Sequence, residues 1–250
     1  MPRAPLTIAV AQPRVVSYDV AANALTHAAV VRRAEARVVV FPELSLTGYE
    51  LDAPAISPTD PALAPIVAAC AETGSLALVG APVDGDGGLA HIAMLAIDGA
   101  GWTVVYRKMW LGGDEPTRFS PGREPVVLTV DGWRLGLAIC KDTGIPDHAA
   151  KTAALGMDIY VAGVLESADD AAVPAARACR VAVAHHVSVA FASFAGSTGG
   201  GYDEGAGGSG VWRPDGAVIA QAGPETGAVI RAALRQPEVD SLDVRLPGGS

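Results

Sequence analysis

The chain has 250 residues, 50% of them hydrophobic and 18% charged, a balance too apolar for intrinsic disorder. Its 29 glycines and 18 prolines fall short of the roughly 25–30% share that marks low-complexity sequence. A formal net charge of −9 disfavours phosphate-backbone binding, which needs a basic face, so nucleic acid is not expected as a partner. From the N-terminus, the apolar run Leu6–Ala11, bounded by Pro5 and Pro13, predicts a strand. Asp19 stands at an N-cap position ahead of VAANALTHAAVVRRAEA, where Ala21, Leu25 and Ala28 recur at helical spacing and predict a helix. Residues 37–41 follow as a buried-type strand ending at Pro42 and Glu43. Thr59 and Asp60 before Pro61 open a second helix, which Gly74 stops. Strand-like runs at 75–83, 89–97 and 102–108, punctuated by Asp84-Gly85 and Asp98-Gly99, predict hairpins.

The stretch 109–125 is irregular, with Gly112-Gly113, Pro116 and Pro121-Gly122, and loops of this length inside a domain are usually functional or mobile. Asp131-Gly132 joins VVLTV to WRLGLAIC as another hairpin. A helix near 147–155, a strand at 158–165, a helix near 169–184 and a strand at 187–194 precede a Gly-rich loop at 195–208. Strands near 209–213 and 217–221, joined by Asp215-Gly216, and one near 227–233 complete the pattern; 236–250 reads as a polar tail. Helices alternate with strands, yet several strand pairs are hairpins. That combination predicts mixed sheets with helices packed outside, rather than a purely parallel doubly wound sheet. The repeated order of strand, helix and strand followed by hairpins hints at two similar halves. No composition shift marks a linker, so residues 1–250 are expected to form a single domain with its core at about 5–233.

Cys70, Cys140 and Cys179 are few, widely spaced and without a C-x-x-C pair. They make neither a disulfide framework nor a cysteine metal site, and a reducing compartment fits. No apolar run reaches the roughly 18–20 residues of a membrane span. The N-terminal apolar run breaks at Gln12, too soon for a signal peptide. A soluble cytoplasmic protein is expected.

Several motifs fail on context. Gly205-x-Gly207-x-x-Gly210 has dinucleotide-binding spacing but leads into a strand-like run instead of opening a helix. There is no G-x-S-x-G and no P-loop. His185 and His186 are adjacent, so they do not share a face as metal ligands do. Cys70 and Cys179 read as small buried hydrophobes. Cys140 differs, because it ends the strand WRLGLAIC and opens the turn KDTGIP. Glu43 ends VVVFPE and Lys108 ends WTVVYRK. Each alone suits a strand-end charge; three strands ending in Glu, Lys and Cys suggest one rim with a base, a cation and a nucleophile. A thiol with pKa about 8.5 needs a nearby base or cation at neutral pH, and an acyl-transfer oxyanion needs a fixed positive donor.

These neighbourhoods resemble the nitrilase superfamily of carbon–nitrogen hydrolases over roughly residues 5–233. The matching stretches are AVAQP, VVVFPELSLTGY, YRKMWL, DEPTRFSPG, GLAICKD, ALGMDIYVAG, AARACRVAVAHHVSVAFAS and SGVWRPDGAVIAQAG. The resemblance implies an α-β-β-α sandwich with two mixed sheets. It implies Glu43 as general base, Lys108 as oxyanion lysine and Cys140 as nucleophile, with the Lys141 backbone N–H completing the oxyanion hole. Glu115 matches the family's second glutamate, with Glu124 in the same region beyond the SPG turn. Asp142 fits the acidic residue often found two after the cysteine. The implied activity is a cofactor-free, metal-free amidase acting on a small amide, and relatives pair as homodimers. Nitrile hydrolysis, N-carbamoyl hydrolysis and acyl transfer use the same machinery, and a non-catalytic binding protein is the reading from another class. Residue 144 is Gly and no arginine follows soon after Cys140, so no anchor for a substrate carboxylate is visible in the sequence.

Overall fold

Short apolar runs bounded by Pro, Gly or Asp form the strands, and a computed structural model describes them over residues 3–57, 59–85 and 88–235. The polar tail expected at 236–250 lies outside the described residues. The first half comprises β1 (Leu6–Ala11), α1 (Val20–Ala34), β2 (Val38–Val40), α2 (Ala64–Thr73), β3 (Leu76–Asp84), β4 (Ala90–Asp98) and β5 (Gly101–Arg107). After the irregular stretch come β6 (Val127–Val130), β7 (Trp133–Ile139), α3 (Pro146–Ala154), β8 (Ile159–Val164), α4 (Ala172–His185) and β9 (Ser188–Ser193). The last elements are β10 (Ala195–Gly196), β11 (Gly205–Ala206), β12 (Gly210–Trp212), β13 (Val218–Gln221) and β14 (Val229–Leu234). Local chemistry sets the helix ends. The Asp19 carboxylate accepts from Ala22 N–H, the Asp60 carboxylate accepts from Ala62 N–H, and Gly74 closes α2 in the left-handed region.

Two six-stranded sheets run β14-β1-β2-β3-β4-β5 and β13-β12-β9-β8-β7-β6. Each has a parallel centre (β1-β2-β3; β7-β8-β9), one antiparallel strand on one side and an antiparallel hairpin pair on the other. The two halves hinted at by the sequence are therefore the two sheets, except that the first is completed by β14 from the far end of the chain. Alternating side chains give the layers. Leu135, Leu137 and Ile139 of β7 join Ile8, Val10, Val38 and Val40 in the core between the sheets. Ala9, Val39, Ala77 and Val79 face α1 and α2 on one outside, and Ala138, Tyr160 and Ala162 face α3 and α4 on the other. Central parallel strands covered on both faces are largely apolar, and the result is an α-β-β-α sandwich.

Two expectations need correction. Leu25 is 62% exposed, and α1 buries Asn23, Ala24, His27, Ala28 and Val31 instead. The helix is rotated to bring two polar side chains inward, which an apolar period cannot register. Cys179, expected to be buried, is exposed on α4, whereas Cys70 is buried in α2. Among the described residues, no helix is long and apolar enough to cross a membrane.

Candidate active site

The turn after β2, Pro42 to Gly48, presents Glu43 at 1% exposure. Leu44 holds φ at 51° to make the turn. Both sheets press on it. A Cβ added at Gly80 of β3 would stand 2.4 Å from Pro42 O and Leu44 N, and one at Gly163 of β8 would stand 2.6 Å from Phe41 O. From outside, the Asn23 amide donates to Leu46 O, and His27 accepts from Ser45 Oγ at 2.9 Å while stacking on Phe41. The inward polar face of α1 thus braces the Glu43 turn.

Lys108 continues β5, its backbone N–H bonded to Ile92 O. Its ammonium is buried between two carboxylates, 2.6 Å from Glu43 Oε1 and 2.6 Å from Glu115 Oε1. Glu115 reaches it from the irregular stretch. Gly112 N–H donates to Glu115 Oε2 at 2.8 Å, and Tyr49 Oη donates to Oε1 at 2.6 Å. Burial opposes the charge of Lys108, but Glu43, Cys140 and Glu115 more than compensate and raise its pKa above the ordinary range. Burial lifts Glu43 to about 7, with Lys108 pulling against it. Among the described residues, Glu43 Oε2 is the only buried side-chain oxygen or nitrogen without a hydrogen-bond partner.

Cys140 follows β7 with φ at 41°, a conformation rare for a residue with a side chain and costly to hold. Its Sγ–H donates to Leu165 O at 3.2 Å. Burial, then the charge of Glu43, push the thiol well above its usual range. The short 3₁₀ segment Cys140–Gly144 follows, and Lys141 lies in its first turn, where backbone N–H groups lack intrahelical acceptors. Asp142 ties this turn to the Lys108 strand. It accepts from Ile139 N–H on one side, and from Met109 N–H, Trp110 N–H and Tyr106 Oη on the other. His148 donates from Nε2 to Tyr106 Oη and accepts at Nδ1 from Tyr160 Oη, a tautomer assigned from these partners. Burial raises Asp142 to about 6 and lowers His148 to about 4.

Glu43, Lys108, Glu115, Cys140 and Lys141 thus converge. Lys108, Glu115, Cys140 and Lys141 line one cleft of about 420 Å³, with Glu43 beneath them in contact with Lys108. Glu124 lines a different cavity with His91 and Arg107. Tyr49, Tyr106, His148, Arg177, Gly80 and Gly163 had no role in the sequence reading. Tyr49 and the Tyr106–His148 pair are polar groups whose partners are distant in the chain. Arg177 of α4 lines the cleft although it lies far beyond Cys140 in sequence. Gly80 and Gly163 had a readable signal, since an isolated glycine within a strand often marks close backbone approach. Among the described residues, no group of three or more His, Cys, Asp or Glu side chains is arranged to hold a metal ion. A carboxylate with one free oxygen, a cation and a thiol at one point can accept a proton, hold an oxyanion and attack a carbonyl carbon.

A family model for carbon-nitrogen hydrolase matches residues 7–243. The chain is 29% identical over 230 residues to "Hydrolase in pqqF 5'region" of Pseudomonas protegens, spanning 87% of this chain and 79% of that one. The structure superposes on an amidase of the nitrilase superfamily from Nesterenkonia AN1 with a TM-score of 0.84 at 24% identity, covering 94% and 93% of the two chains. For Nit3 of Saccharomyces cerevisiae, a branch 10 member of that superfamily, the TM-score is 0.83 at 22% identity, covering 94% and 92%. Another structure of the Nesterenkonia amidase carries the acetamide moiety of fluoroacetamide covalently at its active-site cysteine.

Proposed function

The chain belongs to the carbon–nitrogen hydrolase family, and from that premise we propose that it is a cysteine-dependent amidase acting on small amides. The observation that carries this reading is Glu43 Oε2, buried and without a partner, while the other oxygen is held by Lys108. Leaving such an oxygen unpaired costs about 1–3 kcal/mol or more, a cost compatible with a proton acceptor held ready for the Cys140 thiol, whose pKa the charge of Glu43 helps to raise. The covalent cysteine adduct in the Nesterenkonia amidase supports the same choice of nucleophile.

Glu43 takes the thiol proton as Sγ bonds to the amide carbon and the carbonyl π electrons move to oxygen. Lys108 Nζ and the Lys141 N–H hold that oxyanion. On collapse the C–N bond breaks, and the leaving ammonia or amine takes the proton from Glu43. Glu43 then removes a proton from water as it attacks the thioester, and returns that proton to the departing Cys140 sulfur. Glu115 keeps Lys108 charged and aimed. The raised pKa values suit this cycle: a thiol that stays protonated until the carbonyl arrives needs a base with an elevated pKa beside it.

Mass spectrometry across amides, nitriles and carbamoyl compounds tests the reading. An acyl adduct on Cys140 from amides, lost together with turnover in Cys140→Ala, is expected; turnover that survives Cys140→Ala refutes it. The same reading carries a homodimer in solution, and light scattering that shows a monomer or an open polymer counts against that part.

A further inference from the structure

We propose that Arg177 and Glu166 form a selectivity end of this cleft, which takes a dipolar amide carrying both a carboxylate and an ammonium group. The inference rests on the amidase reading and deepens it. Arg177 comes from α4 and Glu166 from the segment after β8; both line the cleft that holds Cys140, and they form an ion pair through Arg177 Nη1 and Glu166 Oε1. Glu166 directly follows Leu165, whose carbonyl accepts the Cys140 thiol proton, so the pair begins one residue from the nucleophile. The guanidinium lies over the turn after Cys140. A Cβ on Gly144 would stand 3.3 Å from Arg177 Nε and 3.4 Å from Cζ, and the missing side chain leaves that space to the guanidinium.

The other charges of the cleft are occupied or peripheral. Lys108 pairs with both Glu43 and Glu115, Lys141 Nζ donates to Leu111 O, and Asp114 is exposed. A guanidinium has five N–H donors, and among the described residues Arg177 donates only to Glu166. Its side chain is 24% exposed and that of Glu166 18%, enough for a ligand to reach both. Among the described residues, Leu51 and Leu165 are the aliphatic side chains lining the cleft, beside the rings of Tyr49 and Tyr202, so apolar contact alone does not select an alkyl amide there. A lone carboxylate would gain Arg177 but approach Glu166; a lone ammonium would meet the reverse conflict. A substrate with both charges complements both residues and leaves the local charge unchanged.

The test compares kcat/KM for glutamine and asparagine (both charges), succinamate (carboxylate only), β-alaninamide (ammonium only) and butyramide (neither). A preference of about tenfold or more for a dipolar amide over all three others is expected, as charge-assisted hydrogen bonds allow. Arg177→Gln should cut the ratio of dipolar to uncharged turnover by about tenfold or more, and Glu166→Gln should cut the ratio of dipolar to carboxylate-only turnover. Taking ratios within one variant cancels any general loss of fold. Butyramide or succinamate turned over as well as glutamine, or ratios unmoved by Arg177→Gln, overturns the proposal. If no amide forms a Cys140 adduct, the amidase reading fails separately. Calorimetry of glutamine on Cys140→Ala, against Cys140→Ala with Arg177→Gln, then still reads the site. Affinity about tenfold weaker in the double variant supports it; equal affinity or no binding overturns it.

Discussion

Glu115 and Lys108 are seven positions apart in sequence yet 2.6 Å apart in space, and the charge rather than the shape of Glu115 matters to the ammonium. Glu115→Gln nearly keeps the shape but removes that charge, and its amide accepts at one end only. The oxyanion is fully developed only in the transition state, so kcat should fall by roughly 10²-fold while KM changes little. Glu124→Gln, in another cavity, serves as the parallel measurement; wild-type kinetics for Glu115→Gln would remove its assigned role. Under the proposed mechanism Glu43 sets the pH dependence. Its pKa is raised by burial to about 7, so its base form is present above that pH and lost below it. The expected kcat/KM profile falls on the acid side with an apparent pKa near 7. A profile flat down to pH 5 would show that Glu43 is not the base.

At the scale of elements, the site is a set of strand ends held by contacts between sheets. The Glu43 turn is wedged between Gly80 on one sheet and Gly163 on the other. Neither turn nor strand can retreat, because β8 is paired on both sides. Gly163→Ala would place a methyl group 2.6 Å from Phe41 O and 2.8 Å from Glu43 N. Overpacking of this kind costs about 1–3 kcal/mol. The expected result is a lower Tm together with a loss of kcat larger than the fraction unfolded explains. An alanine variant with unchanged activity and Tm would mean that the wedge has slack. Asp142 works at the same scale, bonding the nucleophile turn to the segment after Lys108, so the two reactive groups keep register though they come from different sheets.

For the whole molecule, two neutral histidines are buried in its supports. His27 and His148 are each lowered by burial to about 4, against an unfolded value near 6.5. Between those values the unfolded chain binds more protons, so this part of the stability is present above about pH 6.5 and is lost as pH falls toward 4. Glu43 and Asp142 have raised values, so the folded chain binds more protons and they act in the opposite direction over an overlapping window. His27→Gln isolates one contribution, on the order of 3 kcal/mol at full protonation. Denaturant melts at pH 7 and pH 4.5 should show a smaller acid loss in the variant than in the wild type. An equal loss in both would show that His27 does not supply the acid sensitivity.

Local sequence was enough to read the elements and to single out a candidate trio. Apolar runs, Asp caps and Asp-Gly turns carry their own local physics, and Glu43, Lys108 and Cys140 are legible because polar residues that end buried strands are conspicuous. The choice between Glu115 and Glu124 was not legible, since both lie in irregular chain where no period constrains direction. The rotation of α1 was hidden as well, because Asn23 and His27 are buried to satisfy backbone and hydroxyl groups of a turn about twenty residues away. Arg177 reaches the cleft through packing of α4 beside the Cys140 turn, a contact that spacing from the cysteine does not reveal. The return of β14 to β1 depended on an open edge of the first sheet. In each case the deciding contact joins groups far apart in the chain, and only the packed structure brings them together.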